Sequence, residues 1–279
     1  MANKATQEVK PSSNPNKNEL LAALPGDVKD RIFPYLELCQ LKLGEVVYEA
    51  GDTMRYVYFP LDCIIALVYE MEDGASAEIS VVGLEGILGI AAFMGGESTS
   101  SRAIGLHAGT CYRLPVQRLQ SEFNNDGIVR SILLRYTQSL ISQMGQTAVC
   151  NRHHTINQQL CRWLLLSLDR LPGDKIFMTQ ELIANMLGVR RESVTEAAGK
   201  LQQQGVIRYQ RGSITVVDRP QLEALCCECY AVVKKESNRL NPSNYKHKKL
   251  TYEHKITPVP NKIQSDTSSA EIDIRQLQS

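Results

Sequence analysis

Long apolar runs are missing from this sequence of 279 residues, and with them any predicted membrane span. No segment approaches the roughly 20 consecutive apolar residues that a helix needs to cross a bilayer. The first residues also lack the hydrophobic stretch of a secretory signal, so we expect a cytoplasmic protein with no membrane partner. The sequence also has no large excess of one charge, because it contains 31 Lys and Arg and 30 Asp and Glu. The formal net charge of +1 argues against non-specific coating of nucleic acid.

Common catalytic motifs are absent as well. The sequence has no G-x-S-x-G nucleophile elbow, no phosphate-binding G-x-x-x-x-G-K and no H-E-x-x-H metal motif. Glu192 and Glu196 are spaced to share a helix face, but their surroundings are basic and exposed rather than a closed pocket. We therefore predict that the protein is not an enzyme and has no catalytic residues.

The eight cysteines are scattered and do not form a disulfide framework, so we expect most of them to be reduced and buried. Cys150, His153 and His154 lie at i, i+3 and i+4, where a thiol and an imidazole could contact a metal. A polar helix end between domains is the favoured interpretation. The densest group of thiols is that of Cys226, Cys227 and Cys229. They cannot all face one ion, so we interpret them as a redox-sensitive site at most. No metal site is predicted.

The composition, with 43% hydrophobic and 22% charged residues, predicts about two domains. Residues 1–18 and the chain from about Lys234 are rich in Asn, Ser, Lys and Pro, which is typical of disorder. A short helix is expected around Leu20 to Leu38. From Cys39 to Leu114, short apolar segments alternate with glycine-containing turns, which predicts a small antiparallel β-roll or barrel. The predicted boundaries are a disordered N-terminus (1–18), the roll (19–122), a long helix (123–152), a winged helix-turn-helix (153–219) and a largely disordered extension (220–279). The fold class is α+β.

The long helix is expected to begin after Asp126, which can cap it. Its apolar residues form two neighbouring rows, one of Leu133, Leu140 and Thr147 and the other of Leu134, Ile141 and Ala148. Two such rows can serve two partners, the roll and a copy of the same helix across a two-fold axis. The alternative is that both rows pack within one subunit. We predict a homodimer.

Residues Thr179 to Val217 have the pattern of a winged helix-turn-helix. Thr179 can cap a first amphipathic helix, and Gly188 can end that helix because it takes positive φ without a Cβ penalty. A second helix follows with Val194, Ala197, Ala198 and Leu201 on its buried face. Two alternating segments around Gln210-Arg211-Gly212 complete a hairpin, the wing.

The exposed face of the second helix carries hydrogen-bonding side chains near its N-terminus, which is what reading of the major groove requires. Arg191 could contact a guanine, and Glu192 could accept from a cytosine amino group. Between Lys175 and Val217, six Lys and Arg face three Glu, a local excess that suits phosphate contacts. The predicted DNA-binding residues are Thr179, Arg190, Arg191, Glu192, Thr195, Glu196, Lys200, Arg208 and Arg211. A protein-docking module that uses the winged helix as its interaction surface is the alternative.

The order of these parts resembles the Crp/Fnr transcription regulators from about Leu20 to Val217. The residues that carry the resemblance are G-E-V-V-Y-E-A-G-D (Gly44 to Asp52), E-G-I-L-G-I (Glu85 to Ile90), the long helix and L-G-V-R-R-E-S-V-T-E (Leu187 to Glu196). The resemblance implies a dimeric bacterial regulator. Its cyclic-nucleotide-binding-like roll would sense a signal, its winged helix would bind a palindromic double-stranded DNA operator, and RNA polymerase would be a further partner.

Two departures from the family pattern concern the DNA-reading helix. The family's R-E-x-x-x-R pattern fits Arg191 and Glu192, whereas Glu196 stands where the last arginine is expected. An acidic side chain there cannot bind guanine or phosphate, so we expect a different preferred DNA sequence. Arg190 replaces the small capping residue usual at the helix start and is expected to contact phosphate instead.

A third departure concerns the effector. Family members that bind cyclic nucleotide hold the ribose hydroxyl with a Glu after the first glycine of G-E-L-G, but here Ile87 follows Gly86. A buried sugar hydroxyl without a partner costs about 1–3 kcal/mol. The family's Arg-Ser pair is reversed here as Ser101-Arg102. The candidate effector pocket is therefore Gly86, Ile87, Ser101 and Arg102, with no cyclic nucleotide and no cofactor predicted and the effector unknown. A regulator that responds to cyclic nucleotide or to redox state is the alternative, although the cluster-binding relatives have dense N-terminal cysteines and this chain has none before Cys39.

Overall fold

The computed structural model describes residues 14–210 and 212–242. Two short helices, α1 (Glu19–Ala23) and α2 (Gly26–Ile32), stand where the sequence predicts one short helix. Asn18 is fully buried, where its Oδ1 accepts from the backbone of Leu20 and its Nδ2 donates to the carbonyl oxygens of Pro60 and Gly86. The predicted disorder of residues 1–18 is therefore wrong for residues 14–18, because Asn18 joins the helix start to the roll; residues 1–13 lie outside the described part.

The predicted antiparallel roll is confirmed. Its strands are β1 (Glu37–Leu41), β2 (Val46–Tyr48), β3 (Tyr56–Pro60), β4 (Ile64–Glu70), β5 (Ser76–Val82), β6 (Arg102–His107) and β7 (Gly109–Pro115). They form two sheets with the orders β1-β7-β3 and β2-β6-β4-β5, and every pair is antiparallel. Two short helices complete this part, α3 (Ala91–Met94) between β5 and β6 and α4 (Val116–Asn125) after β7.

The long helix α5 (Gly127–His153) begins as predicted after Asp126, whose Oδ1 accepts from the N–H groups of Ile128 and Val129 at 2.8 and 3.0 Å. The apolar row of Leu133, Leu140 and Thr147 is buried, and its two leucines pack into the core of the roll. The second row of Leu134, Ile141 and Ala148 is exposed. Of the two rows, one therefore serves the roll and the other faces outward.

The C-terminal part is a winged helix-turn-helix, as predicted. Its elements are α6 (Ile156–Leu168), β8 (Lys175–Phe177), α7 (Gln180–Leu187), α8 (Arg191–Gln203), β9 (Ile207–Gln210) and β10 (Ser213–Val216). The strands form an antiparallel sheet in the order β8-β10-β9. Among residues 14–210 and 212–242, no helix has both the length and the apolar character needed to cross a membrane.

Two further helices follow the wing, α9 (Arg219–Leu225) and α10 (Glu228–Leu240). The predicted disorder of the extension 220–279 is wrong as far as Leu240. Tyr230, Val233 and Leu240 are buried, and Arg135 of α5 donates to the carbonyl oxygens of Arg239 and Leu240 at the end of α10. Tyr230 and Val233 pack in the same cluster as Trp163 and Leu164 of α6, and α10 also lies along α5, so its burial depends on helices that are far away in the sequence. Residues 243–279 lie outside the described part.

The roll and the winged helix share one continuous core. Ile64, Val81 and Leu106 of the roll pack in the same cluster as Trp163 and Leu164 of α6. A buried polar contact crosses the same junction, because Trp163 Nε1 donates to Glu78 Oε2 at 3.2 Å. Burial raises the pKa of Glu78 to about 7, against the opposing effects of the Trp163 hydrogen bond and the positive charges of Arg162 and Arg170.

Candidate nucleic-acid interface

The turn between α7 and α8 has the geometry that the sequence predicts. Thr179 Oγ1 accepts from the backbone N–H of Leu182 at 3.2 Å and caps α7. Gly188 ends α7 with φ +65°, a left-handed conformation that favours glycine, and its N–H bonds the last carbonyl groups of the helix. A DNA contact of Thr179 stays a prediction, since its hydroxyl already serves as the helix cap.

The two faces of α8 divide as expected. Val194, Ala197, Ala198 and Leu201 are buried against α6 and α7. The opposite face is exposed and carries Arg191, Glu192, Thr195, Glu196 and Lys200. Arg190 precedes α8, is exposed, and makes no side-chain capping bond. The basic and acidic side chains near the start of α8 are therefore open to a ligand.

Ion pairs organise the exposed charges of α8. Lys200 Nζ lies 2.7 Å from Glu196 Oε1, and this hydrogen bond lowers the pKa of Glu196. Arg191 Nη1 lies 3.7 Å from Glu181 Oε2 of α7, with about two thirds of both side chains exposed. Pairs so exposed contribute little to stability, so they do not prevent either basic side chain from turning toward a phosphate or a base.

Gln180 is a residue of this surface that the sequence reasoning missed. Its Oε1 lies 2.8 Å from Thr195 Oγ1, which also lies 3.0 Å from the carbonyl oxygen of Arg191. The contact joins the first turn of α7 to the exposed face of α8. No local sequence signal identifies it, since the two residues meet only after the Gly188 turn is formed.

In the wing, Arg208 of β9 is exposed and pairs in register with Thr215 of β10. Gly212 has φ +77°, which places the tip of the hairpin in a conformation that favours glycine. Arg211, the other predicted contact of the wing, lies outside the described residues. Among the described residues, Arg190, Arg191, Lys200 and Arg208 are therefore the predicted contacts whose basic side chains are exposed.

The candidate effector pocket is a small cavity inside the roll, with a volume of about 70 Å³. Ile87 and Ser101 line it, together with Leu140 and Met144 of α5. The prediction that Arg102 belongs to this pocket is wrong. Ser101, which directly precedes β6, is 3% exposed and lines the cavity, whereas Arg102, the first residue of β6, is not among the lining residues.

Arg102 instead makes ion pairs with Glu49 and Glu70, at 3.2 and 3.0 Å, on the outside of the roll.

Gly86 is also not among the lining residues of the cavity. A Cβ at this position would lie 2.3 Å from the hydroxyl oxygen of Tyr136, so the glycine permits the close approach of α5.

The thiol groups differ from the prediction, which treats two sequence clusters separately. The structure brings Cys150 and His154 together with Cys227 and Cys229, so that their sulfur and nitrogen atoms lie within 4.8 Å of one another. His153 and Cys226 are not members of this group. Burial raises the pKa of the Cys150 thiol to about 12.

Two family models match the chain. A model of the cyclic nucleotide-binding domain matches residues 38–126, and a model of the Crp-like helix-turn-helix domain matches residues 158–225. Together they cover more than half of the sequence. No curated protein sequence matches the chain.

Solved structures have a similar fold. FixK2 from Bradyrhizobium japonicum shares 17% identity, with a TM-score of 0.59, over 69% of this chain and 98% of its own. TTHB099, a CRP-family transcriptional regulator from Thermus thermophilus, shares 18% identity, with a TM-score of 0.57, over 67% of this chain and 95% of its own. TTHA1359, a CRP/FNR-family regulator from the same organism, shares 22% identity, with a TM-score of 0.54, over 68% of this chain and 97% of its own. At these identities the likeness establishes the fold alone.

Proposed function

Because the chain belongs to the Crp/Fnr family of transcriptional regulators through its two matched domains, we propose that it binds a palindromic DNA operator as a homodimer. The observation that carries this proposal is the exposed polar face of α8, which directly follows the Gly188 turn. A helix presented in this way can enter the major groove, where each base pair shows a distinct pattern of donors and acceptors.

The exposed residues divide between base reading and backbone contact. Arg191 and Glu192 occupy the first turn of α8, where side chains reach base edges. Arg190, Lys200 and Arg208 are the basic side chains that flank them and suit phosphates. Glu196 adds a negative charge to the same face and favours an operator different from that of relatives with arginine there.

The exposed row of α5 supports the proposed dimer. The side chains of Leu134 and Ile141 are seven residues apart, and 46% and 55% of their surfaces are exposed. Ala148, which is also exposed, continues the row toward the end of the helix, and Val149, with 50% exposed, lies beside it. Apolar residues at heptad spacing are the contact surface of paired helices. A second copy of α5 would bury this row and place two α8 helices on successive major grooves.

On this proposal the roll does not bind cyclic AMP. Its cavity of about 70 Å³ is well below the roughly 300–1,000 Å³ of usual small-molecule sites. Ile87 offers no partner to a ribose hydroxyl, and no Lys or Arg side chain lines the cavity in the described part of the chain. Arg102, the predicted partner of a phosphate, forms ion pairs with the carboxylates of Glu49 and Glu70 instead.

The experiment is selection of bound sequences from a random duplex library by the purified chain, with and without cyclic AMP. Enrichment of a palindrome that is unchanged by nucleotide is the expected result. Enrichment that requires cyclic AMP would contradict the proposal that the roll does not bind this nucleotide. Failure to enrich under both conditions would favour the protein-docking alternative for the winged helix. Action in the cytoplasm and contact with RNA polymerase remain predictions.

A further inference from the structure

Four potential metal ligands meet where α5 ends and α10 begins. Cys150 lies in the last turn of α5, and His154 is the residue that ends it. Cys227 precedes α10, and Cys229 lies in its first turn. Cys150 Sγ is 3.6 Å from Cys227 Sγ, and Cys229 Sγ is 3.4 Å from His154 Nδ1. Side chains 77 residues apart in sequence therefore point at one small volume.

These distances fit the coordination sphere of a single ion. Zinc–sulfur bonds of about 2.3 Å at tetrahedral angles place two sulfurs roughly 3.8 Å apart. The 3.6 Å between the two sulfurs agrees with this spacing, and no pair among the four ligand atoms exceeds 4.8 Å. We propose that Cys150, His154, Cys227 and Cys229 bind one divalent metal ion of the zinc class. This site goes beyond the proposed function and does not rest on it.

The groups around the four ligands have the arrangement of an outer coordination shell. His154 turns Nδ1 toward the ligand group, and its Nε2 lies 3.4 Å from a carboxylate oxygen of Glu228. Metal-binding histidines usually donate their second ring N–H to such a carboxylate. Gln146 Nε2 donates to Cys229 Sγ at 3.0 Å, a contact that favours the thiolate over the neutral thiol.

A buried guanidinium balances the charge that this ligand set would create. Three thiolates and one divalent ion leave a net charge of −1 in a buried place. Arg162 is 3% exposed, and its positive charge acts on the Cys150 thiol. Its Nη1 donates to Thr147 Oγ1 at 3.0 Å, whereas its Nε has no hydrogen-bond partner among the described residues. The charge of a thiolate-rich metal site provides a reason for burying this arginine.

A disulfide between Cys150 and Cys227 is the competing interpretation. It would use only two of the four groups and would leave the convergence of Cys229 and His154 unexplained. Cys226 is a useful contrast, because its Sγ is turned toward the carbonyl oxygen of Gln158 at 4.0 Å. It is adjacent in sequence to a proposed ligand but is not part of the ligand group.

The site has a mechanical consequence. Thr155, the cap of α6, directly follows His154, so the ion would hold the turn between α5 and α6 against the start of α10. The winged helix-turn-helix, which begins with α6, directly follows this turn. Bound metal would thus stabilise the orientation of the winged helix relative to α5.

The test measures metal directly on the full-length chain. Purified protein is analysed for metal content, and zinc is then replaced by Co²⁺ for absorption spectroscopy. We expect about one ion per chain, tetrahedral cobalt bands and a thiolate-to-cobalt charge-transfer band. Cys227→Ser and His154→Ala should lose the ion. The adjacent variants Cys226→Ser and His153→Ala should keep it, and Gln146→Ala should weaken zinc binding about tenfold.

Absence of a bound ion, together with failure of the reduced chain to bind Co²⁺, would overturn the proposal. Equal loss in Cys226→Ser would overturn the ligand assignment, as would peptide mapping that finds a Cys150–Cys227 disulfide in protein kept under zinc and without oxygen. If a ligand variant does not fold, the cobalt spectrum of the unmodified chain still decides, because a spectrum without the thiolate band contradicts the site.

Discussion

Glu78 provides a direct test of how the roll docks on the winged helix. The residue is 8% exposed and lies on β5, and its carboxyl group accepts from Trp163 Nε1 of α6. Its pKa in the folded chain is about 7, against an ordinary value of 4.5. As the pH rises from 4.5 to 7, the unfolded chain releases the proton first and the folded chain retains it. Stability therefore decreases across this window, by up to about 3 kcal/mol from this group.

Glu78→Gln removes the titration but keeps an oxygen that can accept from Trp163. We expect the variant to match the unmodified chain near pH 4.5 and to gain up to about 3 kcal/mol in its free energy of unfolding at pH 8. Urea unfolding between pH 4.5 and 8 measures this, and the only tryptophan of the chain, Trp163, reports from the contact itself. Glu72→Gln, at an exposed position in the turn before β5, is the matched control. Parallel pH profiles of the unmodified chain and Glu78→Gln would refute the reasoning.

Three further predictions concern the interface, the dimer and the packing of α5. Arg191→Ala should reduce the free energy of binding to the selected operator by about 1–3 kcal/mol and relax base choice, whereas Arg208→Ala should weaken binding to selected and random duplexes alike. Fluorescence anisotropy with both duplexes distinguishes the two variants. Equal losses of affinity on both duplexes for Arg191→Ala would contradict its role in base reading. Replacement of Leu134 and Ile141 together by glutamate should give a folded monomer in light scattering, so a persisting dimer would place the contact elsewhere. Gly86→Ala should destabilise the chain by about 1–3 kcal/mol, because the new methyl group meets the Tyr136 ring; an unchanged melting curve would refute this.

Local signals explain why much of the interface could be predicted. Thr179 acts on its immediate neighbours through a side-chain cap, and Gly188 acts through a left-handed backbone. A few neighbouring residues are therefore enough to predict their roles. The buried face of α8 follows from helical periodicity alone. The same periodicity identifies the two apolar rows of α5, although it does not determine which of them faces the roll.

The parts that could not be predicted depend on contacts between distant segments. α10 has a polar composition and becomes a helix with a buried side because α5 and α6, which lie far away in the sequence, provide the surfaces that cover it. The thiol cluster joins residues near 150 to residues near 228, so neither sequence group contains the site by itself. The location of Arg102 is hard to predict for a different reason, because a position within a motif does not determine which face of a strand a side chain occupies.

The arrangement of α5 determines how a signal in the roll could reach the DNA-binding part. Leu140 lines the cavity of the roll, and the next residue, Ile141, lies on the exposed row proposed for the dimer. An occupant larger than about 70 Å³ must displace a wall of this cavity, and α5 is one of those walls. A helix transmits such a displacement along its axis as a nearly rigid body. The movement would then reach Cys150 and the turn before α6, where the proposed metal ion would either resist it or be released by it.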